Sequence, residues 1–186
     1  MTESKALEIL KKYTTKPNLI KHAKAVAACM SHFAKQVGEN QEYWAVVGLL
    51  HDIDYELCGC TADGHCVKCV DILKTEGFDD KFIHAVQSHG NEIVNDIAPT
   101  CYMEQVLSAV DQASGFVIAC AMMKPGKTLA EVDLVSMKKR WKDKKFAAGT
   151  GRERIERVAE RMGKDLDWLL CETLAALKTI SDELGL

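Results

Sequence analysis

The sequence predicts an all-α protein folded as a single helical domain, and three observations carry that prediction. Apolar residues recur at the three-to-four-residue spacing of an amphipathic helix almost throughout; alternating β-branched runs bounded by turns are hard to find; and Pro17, Pro99 and Pro125, with Gly38, Gly77, Gly126, Gly149 and Gly151, all fall between the periodic segments. A length of 186 residues with 47% hydrophobic and 27% charged content suits one domain with a sizeable core, expected over about 17–124 with residues 125–186 packing on it.

Taken in order, the first helix is expected over 3–13, where "MTESKALEILKKY" mixes charged with apolar residues and lacks the unbroken apolar run of a secretory signal. The second, 18–37, follows Pro17 and stops at Gly38; a third, 41–51, is strongly apolar and ends in "VGLLHD". Helices at 65–76 and 79–89 flank Gly77, and a long apolar helix at 103–123 lies between Pro99 and Pro125. Residues 124–151 read as irregular, and helices at 152–162 and 165–184 complete the chain, with no internal repeat and no low-complexity tract.

The longest apolar run, "ASGFVIACAMM", is too short to span a bilayer, so the expectation is a soluble, cytoplasmic protein with no membrane partner. A net charge of −3 gives no global attraction to membranes or duplex nucleic acid, but residues 135–154 carry a local charge of +6. Eight cysteines without an export signal point to free thiols or metal ligands rather than disulfides.

Several polar residues sit where apolar ones belong. His22 shares a helical stripe with Val26, Cys29 and Phe33, and Asp111 aligns with Leu107, Ser114 and Ile118. His51 and Asp52 end the most apolar of the short helices, yet adjacent helical side chains do not face each other. A single inward histidine is most often a hydrogen-bonded core residue, and a single buried aspartate can cap a helix or pair with arginine. Taken together, two imidazoles and two carboxylates on three apolar helices form an N/O ligand set for one divalent cation.

The order His22, His51–Asp52, Asp111 on a helical background resembles the HD superfamily of metal-dependent phosphohydrolases. "LLHDIDYE", "SHG" at 88–90, "SAVDQASGFVIA" and "VSMKKRWKDKKFAAG" together resemble its small stand-alone HDIG-type members over nearly the whole chain. The resemblance implies that His22, His51, Asp52 and Asp111 hold one metal, that His65 and His89 hold a second with Asp52 bridging, and that Asp52, His65 and His89 act in catalysis. His65 is expected on a helical stripe with Cys69 and Ile72, and His89 at the end of the next helix. His84, five residues before His89, points about 140° away and reads as a packing or surface residue, as does His32. Where relatives carry Lys, His or Glu three residues after the doublet, this chain has Tyr55, and the flanking Asp54 and Glu56 read as solvated carboxylates past a helix end.

The cofactors expected are one or two divalent ions (Fe, Mn, Co, Ni, Mg or Zn). Cys58, Cys60, Cys66 and Cys69, spaced C-x-C-x5-C-x2-C, are a further candidate set for structural zinc, although the spacing matches no standard finger or ribbon. The basic run Lys138 to Lys145 is the candidate phosphate contact, with Lys144, Lys145 and Arg152 singled out by the resemblance to "KDKKFAAG". The function so implied is hydrolysis of a phosphate ester or anhydride of a small molecule, such as a nucleotide or dinucleotide, through a metal-activated water. The alternatives are a non-catalytic metal- and nucleotide-binding module and a di-iron oxygenase. The partner expected is a small phosphorylated substrate, with the chain a monomer or homodimer.

Overall fold

The helices expected from periodicity form, and their ends are set by side chains that satisfy free backbone groups. In the computed structural model, which describes every residue of 1–186 except Cys60 and Ala62, α1 spans Glu3–Tyr13, with the Thr2 hydroxyl accepting from Lys5 N. Helix α2 spans Pro17–Gln36 with proline in its first turn, and α3 spans Gln41–Leu50, capped by Asn40 Oδ1 on Tyr43 N at 3.0 Å. A short α4 covers Tyr55–Cys58, α5 covers Lys68–Thr75 and α6 covers Asp80–Ser88, capped by Asp79. Helix α7 is Tyr102–Met122, α8 Leu134–Lys142, α9 Arg152–Arg161, α10 Leu166–Lys178 and α11 Ser181–Leu184; a single 3-10 turn at Leu129–Glu131 precedes α8.

Among the described residues there is no β-strand, and one apolar cluster runs from Ala6 of α1 to Leu184 of α11. Helix α2 packs along α3 for much of its length and also against α7 and α10. The close approach of α2 and α3 requires a residue without a side chain: a Cβ on Gly48 would lie 2.9 Å from Met30 Cγ and 3.0 Å from Ala27 Cα. Helix α7, with 21 residues, is long and apolar enough to cross a bilayer by length and composition. It is instead the central helix of the bundle, buried against α2, α9 and α10.

Three expectations are corrected. The segment 124–151 is not irregular throughout: α8 forms inside it, because the Asp133 side chain accepts from Ser136 N at 2.7 Å while Ser136 reciprocates in a capping box. Only Met137 and Trp141, one turn apart, bury its apolar face, and the lysines around them hid that period. The expected 165–184 helix breaks at Thr179–Ile180. The expected 65–76 helix begins at Lys68, so His65 lies in the preceding turn and shares no stripe with Cys69.

Candidate metal centre

Three helix ends and the middle of α7 meet at one cavity of about 360 Å³, lined by His22, Asp52, His65, His89 and Asp111 together with Tyr55 and Gln112. His22 comes from the second turn of α2, Asp111 from the middle of α7, and His51 and His89 are the residues that end α3 and α6. The six residues singled out in the sequence as ligands are thus brought together.

Three of the four histidines are oriented by what their Nδ1 touches. His51 Nδ1–H donates to Gly48 O at 2.7 Å, His89 Nδ1–H to Val86 O, and His65 Nδ1–H to Asp54 Oδ1 at 2.8 Å. Each bond selects the tautomer whose Nε2 carries a free lone pair, and these Nε2 atoms face inward. His51 Nε2 is fully buried and has no hydrogen-bond partner among the described residues, an orphan that a cation would satisfy.

The Asp52 carboxylate divides its oxygens between two ligand groups. Oδ2 lies 3.4 Å from His51 Nε2 and 3.7 Å from His22 Nε2, while Asp111 Oδ1 lies 3.1 Å from His22 Nε2 and 3.5 Å from His51 Nε2. Oδ1 lies 3.4 Å from both His65 Nε2 and His89 Nε2, which are 3.1 Å apart. Two N/O ligands at about 2.1 Å from one ion stand roughly 3.0–3.4 Å apart at octahedral or tetrahedral angles, so each group has the spacing of a coordination shell.

The charge balance agrees. Burial pushes the Asp52 carboxyl up, but the His51 and His89 rings beside it prevail and hold it well below the usual range. Asp111 likewise resists burial and is held low by His22 and His51. Burial disfavours a charged His51, yet the Asp52 and Asp111 carboxylates raise its pKa well above the ordinary value. Two ionised carboxylates thus draw positive charge onto a ring whose free nitrogen faces them, and a divalent cation supplies that charge.

Further residues support the cluster that the sequence reading passed over or misread. Asp54 is fully buried rather than solvated: Oδ1 accepts from His65 and Oδ2 accepts from Cys69 N at 2.8 Å, tying the turn that carries His65 to α5. Glu56 is also engaged, accepting from Thr15 N at 2.7 Å and Lys16 N at 3.0 Å across the α1–α2 connection. Arg154, 8% exposed, donates to His89 O and Ser108 Oγ, both at 2.6 Å. Gln112 follows Asp111 and accepts from Gly151 N at 2.7 Å, closing the cavity with the segment before α9. The signal for Asp54 was present, since it stands two residues past the doublet; Arg154 has none locally.

Other candidates take different places. His84 faces away from the cluster and pairs with Glu104 at 3.0 Å, and His32 pairs with Glu172 at 2.7 Å. The Arg152 guanidinium is occupied by backbone, donating to the carbonyls of Trp141, Asp143, Phe146 and Ala147, and it lies over the rings of Phe116 and Trp141. It pins the turn after α8, which corrects the expectation of a free phosphate contact. Lys144 and Lys145 are exposed on that turn.

Of the proposed zinc set, Cys60 lies outside the described residues. Among the described residues, Cys66 groups with His65 and His89 within 4.8 Å and not with the other cysteines, while Cys58 Sγ donates to Asp54 O. The Cys66 sulfur rests 3.8 Å from both ring nitrogens of His89, and burial pushes its thiol pKa up.

Comparison with known proteins gives the same answer as the geometry. The chain is 24% identical over 169 residues to a Ribonuclease Y from Oleidesulfovibrio alaskensis, covering 85% of this chain and 30% of that protein. It is 24% identical over 174 residues to a Ribonuclease Y from Rhodopirellula baltica, covering 86% of this chain and 30% of that protein. A tRNA (cytidine(56)-2'-O)-methyltransferase from Thermoplasma volcanium is 34% identical over 88 residues, 47% of this chain and 25% of that protein. The chain therefore spans about a third or less of the curated relatives it matches. The HD domain matches residues 19–116, a segment that contains His22, His51, Asp52, His65, His89 and Asp111. By that match, over more than half of its length, the chain belongs to the HD domain family of metal-dependent phosphohydrolases.

Proposed function

We propose that the protein hydrolyses a phosphate ester or anhydride of a small nucleotide with two divalent ions, to both of which Asp52 would contribute an oxygen. The observation that carries this reading is the division of one carboxylate, Oδ2 towards His22 and His51, which Asp111 also approaches, and Oδ1 towards His65 and His89. When bound, such ions supply a nucleophilic water near neutral pH and neutralise charge on the phosphoryl oxygens.

The chain's own residues supply the rest. His22, His51 and Asp111 would hold one ion, and His65 and His89 the other. Asp54 and the backbone carbonyls of residues 48 and 86 keep three of the rings in the ligating tautomer, so little reorganisation is needed on binding. Asp52 and Asp111 together offset only part of the charge of two divalent ions, which leaves a centre attractive to phosphate. Leu19, Tyr55 and Ile93 form the less polar part of the cavity wall. Among the described residues lining the cavity, the carboxylates are Asp52 and Asp111, both placed as ligands. A cavity of about 360 Å³ supports a small phosphorylated molecule as the substrate.

The test is metal analysis of protein purified without an affinity tag, with phosphate release measured from a panel of nucleotides and phosphodiesters. Two ions per chain with release from at least one nucleotide is expected. Loaded protein that binds nucleotides and releases no phosphate from any of them is a binding module, and the reading fails.

A further inference from the structure

A second cavity adjoins the ligand cluster. It has a volume of about 680 Å³ and shares Ile93 and Gln112 with the first. Gly149 lines one, and its neighbours Ala148 and Thr150 line the other, so the two lie side by side along this turn.

The wall of the second cavity carries five cations, Lys142, Lys144, Arg152, Arg154 and Arg157, against three carboxylates, Glu92, Glu153 and Glu156, and two of those carboxylates are engaged. Glu92 is taken by Arg157 and lies 3.7 Å from Arg161, and Glu156 accepts from Trp141 Nε1 at 2.6 Å. Lys144 is exposed and has no hydrogen bond or ion pair among the described residues. Arg154 is the unusual group. Only 8% exposed, it is bonded to the Ser108 hydroxyl and to the carbonyls of Ser108 and His89, with no carboxylate within 4.0 Å among the described residues. Asp111 and Glu92 act on it only from beyond contact distance, and a buried guanidinium held by carbonyls and a hydroxyl beside a cavity has charge to offer an anion. Helix α9, which carries Arg154 in its first turn, also opens on this cavity with no side-chain cap at Gly151, so the positive end of its dipole adds to the same field.

We propose that the second cavity is a subsite for a second phosphate, with Arg154 and Lys144 as its anchors. The substrate is then a nucleotide bearing a further phosphate beyond the one at the ligand cluster, as a nucleoside bisphosphate or a 5′-phosphorylated dinucleotide does, rather than a monophosphate. This rests on the hydrolase reading of the neighbouring cluster. Arg154 also holds the carbonyl of His89, so it joins recognition of the second phosphate to the ligand at the end of α6.

The test is calorimetric titration of the metal-loaded full chain with adenosine 3′,5′-bisphosphate and with AMP. The bisphosphate is expected to bind about 10- to 100-fold more tightly, the ratio that one added charge-assisted contact brings. Lys144→Ala and Arg154→Gln each bring that ratio down to within about threefold of unity, while Lys178→Ala, on α10 outside the cavity, leaves it intact. Lys144 is on an exposed turn, so its variant reports even where Arg154→Gln fails to fold. A parallel pair, pApA against ApA, tells a free bisphosphate from the end of a strand, and a preference in either pair supports the subsite. Equal binding within both pairs, or a ratio unchanged in Lys144→Ala, overturns it. Affinity and phosphate release are separate readouts, so absence of hydrolysis defeats the function proposed above and not this subsite. Hydrolysis with equal binding defeats only the subsite.

Discussion

Asp54→Asn keeps the size of a buried side chain and removes one of its two acceptors. The carboxylate accepts from His65 Nδ1–H at 2.8 Å and from Cys69 N–H at 2.8 Å, whereas an amide has one oxygen and would face the other donor with its own NH2. If the oxygen stays on Cys69, His65 turns to the tautomer protonated at Nε2, and the lone pair aimed at Asp52 Oδ1 is lost. If the oxygen stays on His65, the buried Cys69 N–H is left unsatisfied, at a cost of about 1–3 kcal/mol. The second ion then binds about 10- to 100-fold more weakly, as expected when the partner that orients a ligating imidazole is removed. Metal content after dialysis against a graded chelator measures the first effect, and urea denaturation of the metal-free chain measures the second. A variant that keeps wild-type affinity for both ions, with an unchanged denaturation midpoint, refutes the role given to Asp54.

Other substitutions probe the frame around the centre. Gly48→Ala drives a methyl against Met30 and Ala27 where α2 meets α3, and is expected to cost about 1–3 kcal/mol in urea titration while leaving the ligand set unchanged. Arg152→Ala frees the four carbonyls that pin the turn after α8, so amide exchange over residues 143–147 should quicken well beyond any change at α2 or α3. Burial pushes the Glu104 carboxyl up from its ordinary 4.5, but bonds from Thr100 and His84 prevail and hold it lower. With the folded pKa depressed, its stabilising contribution is present above the unfolded value and lost as pH falls through the folded one. Glu104→Gln should therefore flatten the acid limb of the stability curve below about pH 4.5, measured by urea midpoints across that range.

Much of the centre could be read from the chain because its ligands interrupt periodic apolar faces. An imidazole at 22 and a carboxylate at 111 stand out where Val26 and Leu107 define the stripe, and the His51–Asp52 doublet stands out at the end of "VGLL". The residues that were missed interrupt nothing. Asp54 follows a helix end, where a carboxylate is ordinarily solvated, and only the return of the chain through 64–69 buries it. Arg154 belongs to a charged run whose exposed members look identical to it, and its inward position depends on how α9 docks on α7. Arg152 was misread for the same reason: local charge shows that a cation is present but not whether its donors reach carbonyls or solvent. Helix α8 was overlooked because two buried residues one turn apart carry its whole apolar face.

The central claim is that Asp52 lies between two bound ions, and anomalous scattering from crystals grown with manganese tests it most directly. Two peaks about 3.5–4 Å apart are expected, one beside His22, His51 and Asp111 and the other beside His65 and His89, with a carboxylate oxygen of Asp52 on each. A single peak held by His22, His51 and Asp111 alone, or peaks remote from Asp52, would contradict it.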